Sequence, residues 1–226
     1  SRLEVLLGRP TIAKAAGVIG VTQEIVDHEL ARAGCPDKQA YVYPNGIVFE
    51  ELELEDKRER DVPELLFVAN FAPWHGLDIL LKNVAKTKEE FTLHLVGKIP
   101  VELLEFTKDH RVKVHGHLSQ RQIRELSARC WVGLSSFALF RNNMKQACPL
   151  KVREYLMLGL PVYGDYQDVF PEDAIYFRQG SDQISEILRF CSEVRQIPKE
   201  NIAKSAQSLI NKISLISILH KELNFI

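Results

Sequence analysis

The chain has 226 residues, 46% of them hydrophobic and 26% charged, and its formal net charge at pH 7 is −1. This composition is that of a globular protein with one large domain, or with one domain and part of another. A net charge so close to zero excludes a chain-wide field for nucleic acid or membranes, so any anion site has to be local. No apolar run approaches the roughly 20 residues that span a bilayer, and the sequence shows no signal peptide.

The four cysteines lie far apart in the sequence and form no C-x-x-C motif: Cys35, Cys130, Cys148 and Cys191. Such spacing favours reduced thiols over a disulfide framework. Because reduced thiols are typical of the cytosol, we expect a cytoplasmic protein.

Short apolar segments alternate with segments of helical period, a pattern typical of βαβ units around a parallel sheet. In the first unit, residues 17–21 (GVIGV) predict a strand, Thr22 an N-cap, and residues 23–33 a helix that Gly34 ends. A second short strand is predicted at 40–43, just before the turn signal PNG.

Residues 50–64, EELELEDKRERDVPE, are densely charged and have almost no apolar content. We interpret the segment 49–64 as a solvated connector, and a charged interaction surface is the alternative. The alternation of strand and helix patterns resumes directly after it, at Leu65.

The part of the chain after the connector predicts an α/β fold with a doubly wound, Rossmann-like parallel sheet. We predict strands at 65–69, 91–96, 112–115, 131–135, 161–163 and 175–177. We predict helices at 76–87, 101–108, 120–129, 182–194 and 199–220, with a break in the last one left open. Ligands of such sheets bind beyond the carboxyl ends of the strands.

The most informative segment is 148–162, CPLKVREYLMLGLPV, which predicts a helix that follows a loop. Pro149 suits the first helical turn, where Leu150 and Lys151 would present free backbone N–H groups to an anion. Lys151 adds a full positive charge, and Glu154, one turn further on, can accept hydrogen bonds from ribose hydroxyls. The alternative is an ordinary amphipathic helix with a solvated Lys–Glu pair.

Four motifs follow one another between residues 65 and 196: LLFVANFAPWHGLDILL, FTLHLVGK, VKVHGHLS and PLKVREYLMLGLPV. The last resembles the PLK-x-x-EYMA-x-GkPVV signature of retaining glycosyltransferases with the GT-B fold, in the large family-four group. The others resemble, in the same order, the PWHG loop, a strand end and a turn of that family's C-terminal nucleotide-sugar-binding domain. The resemblance implies transfer of a sugar from a nucleotide-diphosphate sugar to an acceptor, with retention at the anomeric carbon.

The first 48 residues resemble the last βαβ piece of that family's N-terminal domain, through AAGVIGVTQEIVDHELARAG and VYPNGI. This implies a remnant of the acceptor domain at 1–48, a donor domain at 65–196 and a helical segment at 197–226. The alternative is that residues 1–48 complete the sheet of one larger domain. With a remnant, we expect the chain alone to bind nucleotide without transferring sugar. The implied acceptor is a glycan or a lipid-linked molecule, which leaves peripheral membrane association of a longer protein open.

The resemblance also implies which residues bind the donor. Where the family has a Gly-Arg pair and a Lys for the diphosphate, this chain has Asn70 and His75, and a histidine is only partly charged at neutral pH. Gln146 replaces the first glutamate of the family's E-x7-E motif, and an amide cannot act as a carboxylate base. No catalytic residue is assigned, and the expected donor site comprises Asn70, His75, Gly76, Gly97, Lys98, Gly116, His117, Leu118, Gln146, Pro149, Leu150, Lys151 and Glu154.

The turn at 116–118 is expected to receive the nucleotide base through its backbone, with Gly116 allowing a close approach. His115 and His117 flank this glycine without metal-ligand spacing to any other candidate. We expect no metal and no other cofactor, because GT-B enzymes stabilise the departing diphosphate with helix N-termini and basic side chains.

Two other functions stay open. A nucleotide-sugar epimerase of the GT-B fold would require carboxylates and a base around the sugar, which the sequence does not show. A non-catalytic nucleotide-binding or interaction domain is favoured by Asn70, His75 and Gln146, which replace stronger residues.

Overall fold

A computed structural model describes residues 2–59 and 61–223, with side chains from residue 8 onward. The first unit of the chain has two parallel strands, β1 (Val18–Gly20) and β2 (Ala40–Val42), and two helices, α1 (Arg2–Lys14) and α2 (Gln23–Ala33). The strands predicted at 17–21 and 40–43 are confirmed to within one residue at each end. Helix α1 is not among the predicted elements.

The bounds of α2 are those predicted, and its capping residues explain them. Thr22 has an extended backbone, and its side chain accepts a hydrogen bond from the N–H of Ile25. At the other end Gly34 takes the left-handed conformation, with φ of 69°, and donates to the carbonyl of Ala31. Local chemistry therefore sets both ends of this helix.

The second unit contains a sheet of six parallel strands in the spatial order β5-β4-β3-β6-β7-β8. The chain enters at β3, runs outward through β4 and β5, returns to the other side of β3, and runs outward again. This doubly wound arrangement confirms the predicted fold class. The strands are β3 (Glu64–Val68), β4 (Thr92–Val96), β5 (Val112–Gly116), β6 (Val132–Leu134), β7 (Val162–Gly164) and β8 (Phe177–Gln179).

Helices cover both faces of this sheet. The α-helices are α3 (Leu77–Lys86), α4 (Gln120–Arg129), α5 (Leu150–Met157), α6 (Ile184–Val194), α7 (Lys199–Ile210) and α8 (Lys212–Leu223). Three 3₁₀ segments lie at Pro73–His75, Val101–Lys108 and Leu139–Asn142. The helix predicted at 101–108 is therefore a 3₁₀ segment, and the helix predicted at 199–220 is broken into α7 and α8.

The central strand β3 separates two apolar layers. Leu65 and Phe67 are fully buried in a cluster that includes residues of α3 and α6, whereas Leu66 is buried in a second cluster with α4, α5 and α7. Because successive side chains of a strand point to opposite faces, a strand covered on both sides has to be apolar throughout. This explains the continuous apolar run from which β3 is predicted.

The predicted solvated connector is corrected in two respects. Glu64, predicted as its last residue, is the first residue of β3 and is buried. The remainder is also fastened to the second unit, since the Lys57 N–H donates to the Ala128 carbonyl and the Arg58 guanidinium donates to the carbonyl of Ile197. The domain boundaries themselves stay predictions.

The end of the chain returns to the segment that joins the two units. Asn211 separates α7 from α8, and the N–H of Ile47 donates to the Ile210 carbonyl at 2.9 Å. The carbonyl of Ile47 accepts from the Lys212 N–H at 2.8 Å. The break in the last helix therefore lies where the polypeptide pairs with residues just after the PNG turn.

Candidate functional site

The carboxyl edge of the large sheet gathers the predicted donor-site residues from separate loops. The winding direction reverses between β3 and β6, and the crevice at such a switch point is where doubly wound sheets bind ligands. The loops after these two strands are joined, since the N–H of Phe137 donates to the His75 carbonyl at 3.1 Å. The predicted residues at this edge follow β3 (Asn70, His75, Gly76), β4 (Gly97, Lys98), β5 (Gly116, His117, Leu118) and β6 (Gln146, Pro149, Leu150, Lys151).

Lys151 lies in the first turn of α5, and its ammonium group is the central feature of this edge. Pro149 is the N-cap residue rather than part of the first turn, which corrects the predicted start by one residue. The Lys151 Nζ is buried, has no hydrogen-bond partner within the described residues, and lies 4.9 Å from the centroid of the Phe67 ring. Burial lowers the pKa of Lys151 to about 7, so the full positive charge that we predicted is corrected to a partial one at neutral pH.

His75 is held by the backbone of its own loop. Its Nδ1 accepts a hydrogen bond from the N–H of Ala72 at 3.0 Å. Burial, together with the nearby Lys151, lowers the pKa of His75 to about 4. The predicted partial charge of His75 at neutral pH is therefore wrong. A neutral imidazole whose Nδ1 accepts carries its proton on Nε2, so His75 can still donate one hydrogen bond to a ligand.

Glu154 is exposed on α5, three residues beyond Lys151. It lines a groove of about 410 Å³ between the connector and the helices α4 and α5, together with Leu52, Ile123 and Met157. Partial burial raises the pKa of the Glu154 carboxyl above its ordinary value. Its role in ribose binding stays a prediction.

Gln146 is engaged by the first unit of the chain. Its side-chain oxygen accepts from the N–H of Glu24 at 2.9 Å, and its amide nitrogen donates to the side chain of Gln167 at 3.2 Å. The Glu24 carboxylate in turn accepts from the N–H groups of Lys145 and Gln146 at 2.9 and 2.8 Å. The structure thus places the Gln146 amide in a contact between the two units, and its predicted contact with the donor would compete with that contact.

Several predicted residues reach solvent at this edge without a side-chain hydrogen bond within the described residues. Asn70, Lys98 and His117 are exposed, and Leu118 is half-buried. Their roles in donor binding stay predictions.

Two glycines at the edge differ in what a side chain would meet. Gly97 has φ of 120°, and a Cβ there would lie 2.0 Å from the carbonyl oxygen of Ala69. Gly116 has φ of 65°, but a Cβ would meet no atom within 4 Å. Gly97 is therefore required by a close backbone approach within the protein. The space above Gly116 is open, and the close approach of a base to it stays a prediction.

We expect Gly97→Ala to lower the free energy of unfolding by more than about 3 kcal/mol, because it combines a strained φ with a backbone clash. Gly116→Ala should lower it by about 1 to 2 kcal/mol, because only the left-handed backbone is disfavoured. Urea unfolding of both variants measures the difference. Equal losses would contradict this assignment of the two glycines.

Sequence reasoning missed a buried ion pair next to the site. Arg153 and Asp168 have fully buried side chains and form two hydrogen bonds, at 2.7 and 2.6 Å. The Arg153 Nε also donates to the Asn45 carbonyl at 3.1 Å, and the Asn45 side chain donates to the Cys148 carbonyl at 2.6 Å. The only sequence signal is the arginine itself, which stands at a core-facing position of the predicted helix.

One group of potential metal ligands occurs within residues 2–59 and 61–223. Glu64, His94 and Cys130 bring one ligand atom each to within 4.8 Å of one another. Glu64 and His94 are hydrogen-bonded directly at 2.8 Å, and Arg129 contacts the same Glu64 oxygen at 2.9 Å. These contacts use the atoms that a metal would need. The expected independence of metal stays a prediction.

Known proteins resemble this chain in two comparisons, one with a family model and one with solved structures. Residues 62–166 match the family model described as Glycosyl transferases group 1. The solved structure of HepE from Anabaena in complex with UDP-glucose is 18% identical, covers 100% of this chain and 68% of its own, and has a TM-score of 0.69. The sucrose-phosphate synthase of Thermosynechococcus elongatus is 19% identical, with 99% and 62% coverage and a TM-score of 0.69. These likenesses show the fold, an α/β domain like those of GT-B glycosyltransferases.

A third structure, the apo form of the lipopolysaccharide outer core galactosyltransferase WaaB, is similar to this chain at 12% identity. It covers 94% of this chain and 62% of its own, with a TM-score of 0.70. The chain therefore spans 62% to 68% of the length of these three proteins. A search among curated protein sequences finds no significant match. Within the described residues, no helix is both long enough and apolar enough to span a membrane.

Proposed function

We propose that this GT-B domain binds the nucleotide-diphosphate half of a sugar donor, and that the longer protein transfers the sugar to a glycan or lipid-linked acceptor. The observation that carries this proposal is the buried Lys151 ammonium at the switch point of the sheet, which has no hydrogen-bond partner among the residues that the structure describes. A buried lysine without a counter-ion is costly, and it is typical of sites that receive an anion.

The surroundings of Lys151 suit a diphosphate. The first amides of α5, at Leu150 and Lys151, have no acceptor inside the helix, and the helix dipole favours negative charge at that end. His75 would add a neutral N–H donor from the facing loop. When the sugar leaves, negative charge grows on the diphosphate, and these groups would stabilise it without rearrangement.

Other features of the proposal are supported by the motif resemblance. They are retention at the anomeric carbon, independence of a metal, and a cytoplasmic location with peripheral membrane association of a longer protein left open. Structural relatives with UDP or UDP-glucose bound agree with a nucleotide-sugar donor.

The function is tested by incubating radiolabelled nucleotide-sugars with the longer protein and candidate acceptors. We expect label in a glycan or lipid product. Isomerised donor would instead favour an epimerase, and neither product would favour a non-catalytic nucleotide-binding domain. We expect the 226-residue chain alone to bind nucleotide without transfer, because the reactants are not held together across a cleft. Turnover near 10 per second by this chain would contradict that expectation.

The predicted ribose contact is tested with Glu154→Gln. The substitution keeps the shape of the side chain but weakens two charge-assisted hydrogen bonds, so nucleotide binding should weaken by roughly 1.5 to 3 kcal/mol. Calorimetry with UDP and GDP measures the effect, and Glu193→Gln on α6 is a matched exposed control. Unchanged affinity of Glu154→Gln for both nucleotides would exclude the ribose assignment.

A further inference from the structure

A row of polar side chains crosses three neighbouring strands on the face covered by α4. The Nε of Arg129 lies 2.9 Å from a carboxylate oxygen of Glu64, on β3. The same oxygen lies 2.8 Å from Nε2 of His94, on β4. The Nδ1 of His94 lies 2.9 Å from Nε2 of His115, on β5. Glu64 and His94, in the middle of the row, are almost fully buried, whereas Arg129 and His115 at its two ends are partly exposed.

The chemistry of these groups sets the direction of every hydrogen bond in the row. A guanidinium only donates and a carboxylate only accepts, so Nε2 of His94 has to donate to Glu64. Burial lowers the pKa of His94, and its imidazole is therefore neutral. A neutral imidazole with its proton on Nε2 has an unprotonated Nδ1, which accepts from Nε2 of His115.

These directions determine the state of Nδ1 of His115, the ring nitrogen that is not part of the row. Its Nε2 carries the proton of the neutral ring, so its Nδ1 presents a lone pair. Burial and the positive charge of Arg129 lower the pKa of His115, which keeps the ring neutral at pH 7. The Nδ1 of His115 has no hydrogen-bond partner in the described chain, and the residue is only half-buried. The Nδ1 of His115 is therefore a hydrogen-bond acceptor, located at the end of β5 and adjacent to Gly116 in the chain.

Two backbone donors follow this acceptor along the chain. The backbone N–H groups of His117 and Leu118, in the turn that follows β5, have no protein acceptor within the described residues. The turn therefore offers hydrogen-bond donors next to one acceptor, and the space above Gly116 is open. Such a set complements a ring that carries an N–H group beside a carbonyl oxygen.

We propose that His115 determines base specificity, with its Nδ1 accepting a hydrogen bond from the ring N–H of uracil or guanine while a turn amide donates to the adjacent carbonyl. The inference rests on the proposed function, since it assigns the base end of the same donor site. Cytosine and adenine have an unprotonated ring nitrogen at that position, and an amino group in place of the 4-carbonyl of uracil or the 6-carbonyl of guanine. If the turn amide donates to that carbonyl, both contacts would be mismatched. With the ribose bound by Glu154 and the diphosphate bound by Lys151, the base could not rotate to restore these two hydrogen bonds.

The tautomer is tested directly by two-bond proton–nitrogen NMR of the uniformly ¹⁵N-labelled chain between pH 6 and 8. We expect His115 with its proton on Nε2 and an unprotonated Nδ1, before any nucleotide is added. A proton on Nδ1 would overturn the inference. This measurement needs no variant and no bound ligand.

The specificity is tested by calorimetry with UDP against CDP and GDP against ADP. In at least one of these pairs, we expect the nucleotide whose base carries a ring N–H, UDP or GDP, to bind about tenfold more tightly than the other. His115→Phe should reduce that preference to less than about twofold, while His110→Phe, an exposed histidine before β5, should keep it.

The outcomes separate the inference from the proposed function. Binding of all four nucleotides without preference would overturn the role of His115 and leave the donor site intact. If none of the four nucleotides binds, the proposed function falls and the inference falls with it. A preference that survives in His115→Phe would also overturn the inference.

Discussion

The affinity of the chain for UDP should fall about tenfold for each pH unit above 7, because the bound diphosphate requires Lys151 to be protonated. In the free protein, burial without a counter-ion lowers the pKa of Lys151 to about 7. The diphosphate supplies negative charge and raises that pKa, so binding above pH 7 takes up one proton. The free energy of one proton equivalent per pH unit, about 1.4 kcal/mol, corresponds to a tenfold change. Below pH 7 Lys151 is already charged, and the dependence should flatten.

Calorimetry of UDP binding between pH 7 and 9, in two buffers of different ionisation enthalpy, measures both the affinity and the proton uptake. Lys151→Met should bind UDP about 10- to 100-fold more weakly at pH 7, through loss of a charge-assisted contact, and without the slope. Lys86→Met, which removes an exposed lysine of α3, is the control and should behave as the unaltered chain. A flat pH profile of the unaltered chain would contradict the assignment of Lys151 to the diphosphate.

Asp168→Ala should lower the free energy of unfolding by about 3 to 5 kcal/mol, the largest effect that we expect from one side chain. The substitution leaves the Arg153 guanidinium buried without its carboxylate, and a buried unpaired charge is strongly destabilising. Arg153 also donates to the Asn45 carbonyl and stacks over Phe170, at 4.7 Å from the ring centroid. The effect should therefore extend to the turn that joins the two units.

Urea unfolding of Asp168→Ala and of Glu193→Ala provides the comparison. Glu193 forms an exposed pair with Arg178 at 2.8 Å, and its loss should cost about 0 to 1 kcal/mol. The double variant Arg153→Met, Asp168→Leu should recover much of the stability, because an apolar pair leaves no buried charge. Equal losses in the two single variants would show that the buried pair is not a special determinant of stability.

Most of the secondary structure and the doubly wound, parallel character of the sheet are predictable from the sequence. The ends of α2 follow from Thr22 and Gly34, whose side-chain and backbone preferences act within a few residues. Helical segments lie between the apolar runs of successive strands, such as β3 and β4. These segments predict parallel pairing, because connections between neighbouring parallel strands are short and right-handed. Glu64 was misplaced in the connector because its partners, His94 and Arg129, are distant in sequence.

The candidate site is likewise predictable from the sequence only in part. Its location at the carboxyl ends of the strands is predictable from the motifs, since each motif follows a strand. The charge states of Lys151 and His75 are not, because desolvation depends on what packs around a side chain rather than on its neighbours in sequence. The contact between Gln146 and Glu24 joins residues from the two units, and no local pattern indicates it.

The sequence by itself determined most of the elements, the doubly wound sheet and the edge that carries the candidate site, because helix caps, apolar periodicity and βα alternation act locally. Only the tertiary structure decided that the Lys151 ammonium is buried without a partner among the described residues, that Arg153 pairs with Asp168, and that Glu64, His94 and His115 form one row. Those properties arise when distant side chains are brought together and water is removed, and both happen only in the folded chain.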